Sequence, residues 1–304
     1  MIYEEFLDLV KRSLEERMGE EYAFEITKTL KNNSEYRMGL RVKTENTNVY
    51  PCIYMEAYYD NFMHGRETLD ELLTTVMESV KEAIIKKPIN ISFFMDWEKV
   101  KTHVFFRVIN TEQNHELLEA VPHMEVLDLS VIYHVNVGCF LPENLEVFGS
   151  IIIRNEHLKL WNITQDALHE CALQNVKDKQ KAELQDMTSV LEEMKAFIEI
   201  DDREKEEMPI PMYILRNKNS QYGAAQLIIK ETLMHVSEKL DGDFIVLPSS
   251  IYELIVIPSS EIPDLEGLKD LVKEVNNTQV DPVDRLSYNV YRYDKDRERL
   301  EIVA

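Results

Sequence analysis

The sequence predicts an α+β fold, with mixed or mostly antiparallel sheets, helices packed on one face, and two subdomains. Three observations lead there. The first ninety residues read helix, hairpin, strand, helix, which places helices on one side of a sheet. The middle of the chain is rich in alternating apolar runs bounded by turn residues. At 304 residues and 44% hydrophobic, the chain has enough apolar material for a substantial core.

The elements follow in order. Ile2, Phe6, Leu9, Val10, Leu14 and Met18 make one apolar stripe, and Gly19 ends it, which predicts a helix over residues 2–18. Phe24-Ile26-Lys28-Leu30 and Tyr36-Met38-Leu40-Val42 alternate on either side of Asn32-Asn33-Ser34, the pattern of a hairpin. A third strand, Val49 to Met55, contains Pro51 and belongs at an edge. Thr68-Leu-Asp-Glu71 has capping-box spacing, and the helix it opens runs until Lys87-Pro88. Tyr54, Tyr58, Tyr59 and Phe62 read as an aromatic core face.

Strands are expected at His103 to Ile109, Val126 to Val137 and Val147 to Arg154, with a short helix at Glu116 to Ala120. Thr164 caps a helix through Val176, and a second helix spans Ala182 to Ile198. Residues 199–211 combine dense charge with two prolines and read as a linker, giving subdomains 1–198 and 212–304. Beyond it come strand Met212 to Arg216, helix Ala224 to Leu240, strands Phe244 to Leu247 and Tyr252 to Ile257, helix Leu265 to Asn276, and a closing hairpin.

Charge bounds the partners. There are 56 acidic and 34 basic residues, a net charge of −22, with −11 on each half of the chain. An evenly negative field repels phosphate backbones and anionic lipid heads, so neither direct nucleic-acid binding nor membrane association is expected. The longest weakly polar run, Leu129 to Leu141, is too short for a spanning helix. Cys52, Cys139 and Cys171 are too few and scattered for a disulfide framework, and the acidic N-terminus does not resemble a secretory signal. A cytoplasmic setting is expected.

Eight glycines, never two closer than eleven residues, build neither a dinucleotide fingerprint nor a P-loop. Histidines never pair at i, i+4 on a helix and no Cys-x-x-Cys exists, so no metal and no cofactor is expected. Gly-x-Ser-x-Gly is absent, and Cys139 has no local activating group. Two polar clusters remain. Ser249, Ser250 and Glu253 lie at the mouth of an apolar strand between two Pro-Ser-Ser turns. Asn114, His123 and Asp128 fall in a polar stretch between strand and helix, where binding loops often lie.

Tyr50-Pro-Cys-Ile-Tyr-Met-Glu-Ala-Tyr-Tyr-Asp60, Ile109 to Leu129, Trp161-Asn-Ile-Thr164, Asn217 through Tyr222-Gly-Ala-Ala225, Leu247-Pro-Ser-Ser250 and Val275-Asn-Asn-Thr-Gln279 together resemble an uncharacterised family of anaerobic gut bacteria, a domain of unknown function. The resemblance implies a cytosolic bacterial protein and brings no reaction, ligand or catalytic residue. The leading expectation is a non-catalytic protein-binding or regulatory protein. The alternative is an enzyme, of hydrolase type, whose cleft unites Ser249, Ser250 and Glu253 with Asn114 and His123. A third reading uses the −22 charge as a nucleic-acid mimic.

Overall fold

The computed structural model describes residues 1–304 except 46, 49, 85–89, 139–148, 191–209, 220, 249, 263 and 264. Its architecture is α+β with three antiparallel sheets. Backbone contacts divide it into two units. Residues Met1–Lys31 with Glu35–Ser92 form the first, and Asn32–Ser34 with Phe93–Ala304 form the second.

In the first unit, α1 (Tyr3–Met18) precedes β1 (Ala23–Leu30), β2 (Tyr36–Lys43) and β3 (Cys52–Tyr54), which pair in sequence order. Gly19 takes φ 84° just past α1, a conformation that costs glycine little. Helices α2 (Glu56–Met63) and α3 (Leu69–Ala83) follow. The capping box is present as predicted: the Glu71 amide donates to Thr68 Oγ1 at 3.3 Å, and the Thr68 amide donates to Glu71 Oε2 at 2.9 Å. Spacing of three and four puts Leu72, Leu73, Val76 and Val80 on one buried stripe against Phe6, Val10 and Leu40. Each such side chain contributes about 1.5–3 kcal/mol by leaving water.

The second unit holds two sheets. In one, β6 (Leu129–Asn136) pairs with β4 (Val104–Asn110) on one side and with β5 (His123–Val126) and β7 (Ser150–Ile152) on the other. The other runs β13-β12-β10-β11-β9-β8, from β8 (Ala182–Asp186), β9 (Tyr213–Asn217), β10 (Phe244–Leu247), β11 (Leu254–Pro258), β12 (Tyr291–Asp294) and β13 (Arg299–Ile302). The short helices α4 (Trp97–Val100), α5 (His115–Ala120) and α6 (Asn155–Trp161) connect these strands. The longer ones are α7 (Gln165–Lys179), α8 (Lys230–Lys239) and α9 (Leu265–Gln279). Strand β10 is apolar throughout because both its faces are covered. Phe244 and Val246 enter the main core, while Ile245 and Leu247 join a second cluster with Val272 of α9.

Four expectations change. Residues 126–137 are not one strand: Leu127-Asp128 turns the chain between β5 and β6, so that Val126 pairs with Leu129. Residues 182–186 form a strand rather than a helix start. Ala, Glu, Leu and Gln favour helix intrinsically, but pairing with Tyr213–Asn217 and packing of Ala182 and Leu184 on the core override that weak preference. The expected helix over 224–240 opens instead as a 3₁₀ segment at Gly223–Ile228 before α8. The boundary at 199–211 also moves. Strands β8 and β9, on either side of it, are hydrogen-bonded neighbours, and the division by contacts falls between Ser92 and Phe93. Residues 191–209 themselves, with the end of the expected 182–198 helix and most of the expected linker, lie outside the described residues.

Candidate functional site

Strand alternation sets the chemistry of the first sheet. Phe105 pairs with His134, and Asn136 with Ser150, so Arg107, His134, Asn136 and Ser150 share one face. Tyr133 and Phe106 point the other way, toward α7, where the Tyr133 hydroxyl and His169 Nδ1 lie 3.0 Å apart. Burial pushes the Tyr133 phenol up to about 12, so it stays protonated and His169 has a settled partner.

Tyr222 covers the polar face. The loop before it is built on Asn217, fully buried, whose Oδ1 accepts from the Asn219 and Gln221 amides while its Nδ2 donates to the Gln221 carbonyl. Gly223 then lets the backbones close, since a β-carbon there would stand 2.2 Å from the Tyr252 carbonyl oxygen and 2.9 Å from the Asn217 nitrogen. Tyr222 itself holds left-handed backbone angles, φ 51° and ψ 40°, which are rare for a bulky side chain and cost about 1–3 kcal/mol. Its ring lies 5.1 Å from the His134 ring and stacks on Tyr252 at 6.1 Å with 16° between planes. Arg107 Nη1 donates to the Tyr222 hydroxyl at 2.7 Å, and the guanidinium carbon stands 4.8 Å from the ring centroid. The Tyr252 hydroxyl donates to Asp284 at 3.1 Å, and burial together with that carboxylate raises its pKa to about 12. Between Tyr222, Tyr252, Gln221, Asn136, Gly149 and Ser150 opens a hollow of about 170 Å³.

A larger polar cleft, about 370 Å³, lies at the β5–β6 turn. Residues 110–113 with His115 form one wall, Ser287, Tyr288 and Asn289 the other, and Leu127 with Asp128 lie between. Asp128 is tied down: Ser287 Oγ (2.6 Å) and Asn289 Nδ2 (2.9 Å) donate to Oδ2, and the Tyr291 hydroxyl (2.6 Å) donates to Oδ1. Burial, reinforced by Asp128, drives the Tyr291 phenol far above its ordinary value, so it remains a donor. These anchors hold the turn in which Leu127, 42% exposed, takes φ 58°. A third hollow, about 70 Å³ beside α9, is lined mainly by Leu247, Ile255, Ile257, Leu268 and Val272 and offers little polarity to orient a ligand.

Of the six residues singled out from sequence, Asp128 lines the larger cleft. Asn114 is 1% exposed and engaged throughout: its Nδ2 donates to the Asn110 carbonyl and to Asn33 Oδ1, and its Oδ1 accepts from the Asn33 amide. It clamps loops rather than capping a helix. His123 on β5 places Nδ1 3.1 Å from the Val121 carbonyl and lines neither polar cleft. Ser250 Oγ accepts from the Tyr252 amide, and the Ser250 amide donates to the Glu253 carbonyl, which is turn chemistry beneath Tyr252. Ser249 lies outside the described residues. Arg107, His134 and Tyr222 escaped sequence reasoning; the available signal was one charge inside the apolar run Val104-Phe-Phe-Arg-Val-Ile109.

Among the described residues, no three His, Cys, Asp or Glu side chains converge as a metal site. No helix among them is long and apolar enough to cross a membrane. The chain belongs to a family of unknown function, DUF5688, whose model matches residues 3–295. No curated protein and no solved structure matches it significantly.

Proposed function

We propose that the protein is a non-catalytic binding or regulatory protein of the bacterial cytoplasm, and that another protein docks at the Asp128 cleft. The observation that carries this reading is Leu127, an exposed leucine in a left-handed backbone at the edge of a polar cleft. Strain of this kind persists only where the surroundings over-determine it, and the three donors on Asp128 do so. An apolar anchor ringed by amides and hydroxyls is the usual plan of a protein interface. The same three bonds commit Asp128 to holding the turn, which favours binding over catalysis. Free thiols at Cys52 and Cys171 fit a reducing compartment.

The test places a photo-crosslinking residue at position 127 in the native host, with position 160 as control, since Leu160 is equally exposed. A discrete adduct specific to position 127 is expected. Once that partner is purified, Leu127→Ser weakens its binding at least about tenfold, a loss of about 1.4 kcal/mol. Equal adducts at both positions, or unchanged affinity in the variant, would remove the proposal. Turnover of a metabolite by the purified protein would count equally against it.

A further inference from the structure

The Tyr222 hollow shares no described lining residue with the Asp128 cleft. In a chain of net charge −22, none of the described residues that line it is a carboxylate. Behind Tyr222 stands Arg107, half-buried in the middle of β4. Two other half-buried arginines of this unit, Arg216 and Arg292, lie against the carboxylates of Glu183 and Asp243. Among the described residues none lies within ion-pair distance of Arg107. Its hydrogen bond goes to a neutral phenol, and its buried Nε has no acceptor. A partly desolvated cation is normally paired, because leaving it alone forfeits hydration without replacement.

The second observation concerns His134. It is 2% exposed, sits on the same sheet face two residues before the lining residue Asn136, and abuts the Tyr222 ring. Its Nδ1 is buried without a hydrogen-bond partner. Two unmet polar groups, one of them on a cation without an anion, thus lie directly behind the strained aromatic that walls the hollow. Such a set is the ordinary signature of a missing ligand.

We propose that this hollow binds a small, single-ring anion, with Arg107 as its counter-charge and the Tyr222–Tyr252 pair as the platform for its ring. An aromatic surface accepts the flat face of an arene or of a sugar equally, and amides and hydroxyls at Asn136, Gln221 and Ser150 read ring substituents. Volume limits the ligand to one ring. The anionic group is a carboxylate or a phosphate ester, attracted through Tyr222 by the positive charge behind it.

The test is calorimetric titration of the full chain with three anions, benzoate, glucuronate and ribose 5-phosphate, and with benzamide, glucose and ribose as their neutral controls. At least one anion is expected to bind with a dissociation constant below about 1 mM, and its neutral analogue at least about tenfold more weakly. The arms separate aromatic, sugar-acid and sugar-phosphate sources. Arg107→Gln is expected to weaken that anion at least about tenfold. Tyr252→Ala alters a side chain already 41% exposed, keeps the test valid should Arg107→Gln fold poorly, and is expected to weaken binding by a similar factor. The proposal is overturned if no probe binds below about 10 mM, if neutral and charged analogues bind alike, or if Tyr252→Ala leaves affinity unchanged.

Discussion

Acidification from pH 7 to pH 4.5 isolates the energetic cost of His134. Burial holds this imidazole neutral down to about pH 3, with the nearby Arg107 charge acting in the same direction. In the unfolded chain it takes a proton near pH 6.5. Between those values the unfolded state carries one more proton than the folded state, so stability falls as pH falls. The slope is about 1.4 kcal/mol per pH unit, and two units, from 6.5 to 4.5, cost about 3 kcal/mol. Both tryptophans, Trp97 and Trp161, belong to the second unit, so urea unfolding followed by tryptophan fluorescence reports on the part that holds His134. His134→Gln keeps a neutral polar group and removes the titration. His103, His157 and His169 are also lowered by burial, and their contributions cancel when the loss of wild type between the two pH values is set against that of the variant. Wild type should lose about 3 kcal/mol more than the variant over this interval. Equal losses in the two proteins, or an NMR titration placing the folded His134 ring near pH 6, would refute the reasoning.

Gly223→Ala should cost at least about 2 kcal/mol in the same unfolding experiment, because the new methyl meets backbone atoms of Tyr252, Asn217 and Arg216 that cannot rotate away. A variant within about 0.5 kcal/mol of wild type would mean that the loop yields freely. Thr68→Ala removes the acceptor for the Glu71 amide and should cost the first unit about 1 kcal/mol. It is read as faster amide exchange in the first turn of α3, with exchange rates in α7 as the internal reference; unchanged rates in α3 would show that the cap contributes nothing.

The parts of the fold that were legible in the sequence are those whose causes are local. Thr68 and Glu71 announce α3 because cap and partner are three residues apart, and Thr164 does the same for α7, accepting from the Ala167 amide. The first hairpin follows from alternation on either side of three turn residues. What failed depended on distant partners. Residues 182–186 become a strand through pairing with residues 213–217, about thirty positions on in the chain. The β5–β6 turn was hidden for another reason: it uses Leu127 where glycine would be expected, and the donors that stabilise it come from residues 287–291. Asp128 stands out in the sequence, while its partners were unreadable there.

The Tyr222 hollow was illegible more completely, since Asn136, Ser150, Gln221, Tyr222 and Tyr252 each look ordinary where they stand. Arg107 was nonetheless a detectable anomaly. Six of the seven residues of β4 are buried, and the exception is the arginine. A single charge in such a strand has few physical solutions: a carboxylate across the sheet, an exit to solvent, or a site. Across β6 its register partner is Ile132, which excludes the first at that position. Tyr222 covers the guanidinium and restricts the second. The lone charge in this apolar strand therefore marks a second candidate site besides the Asp128 cleft, whereas Asn114, Ser250 and Glu253 of the polar loops are occupied in holding turns.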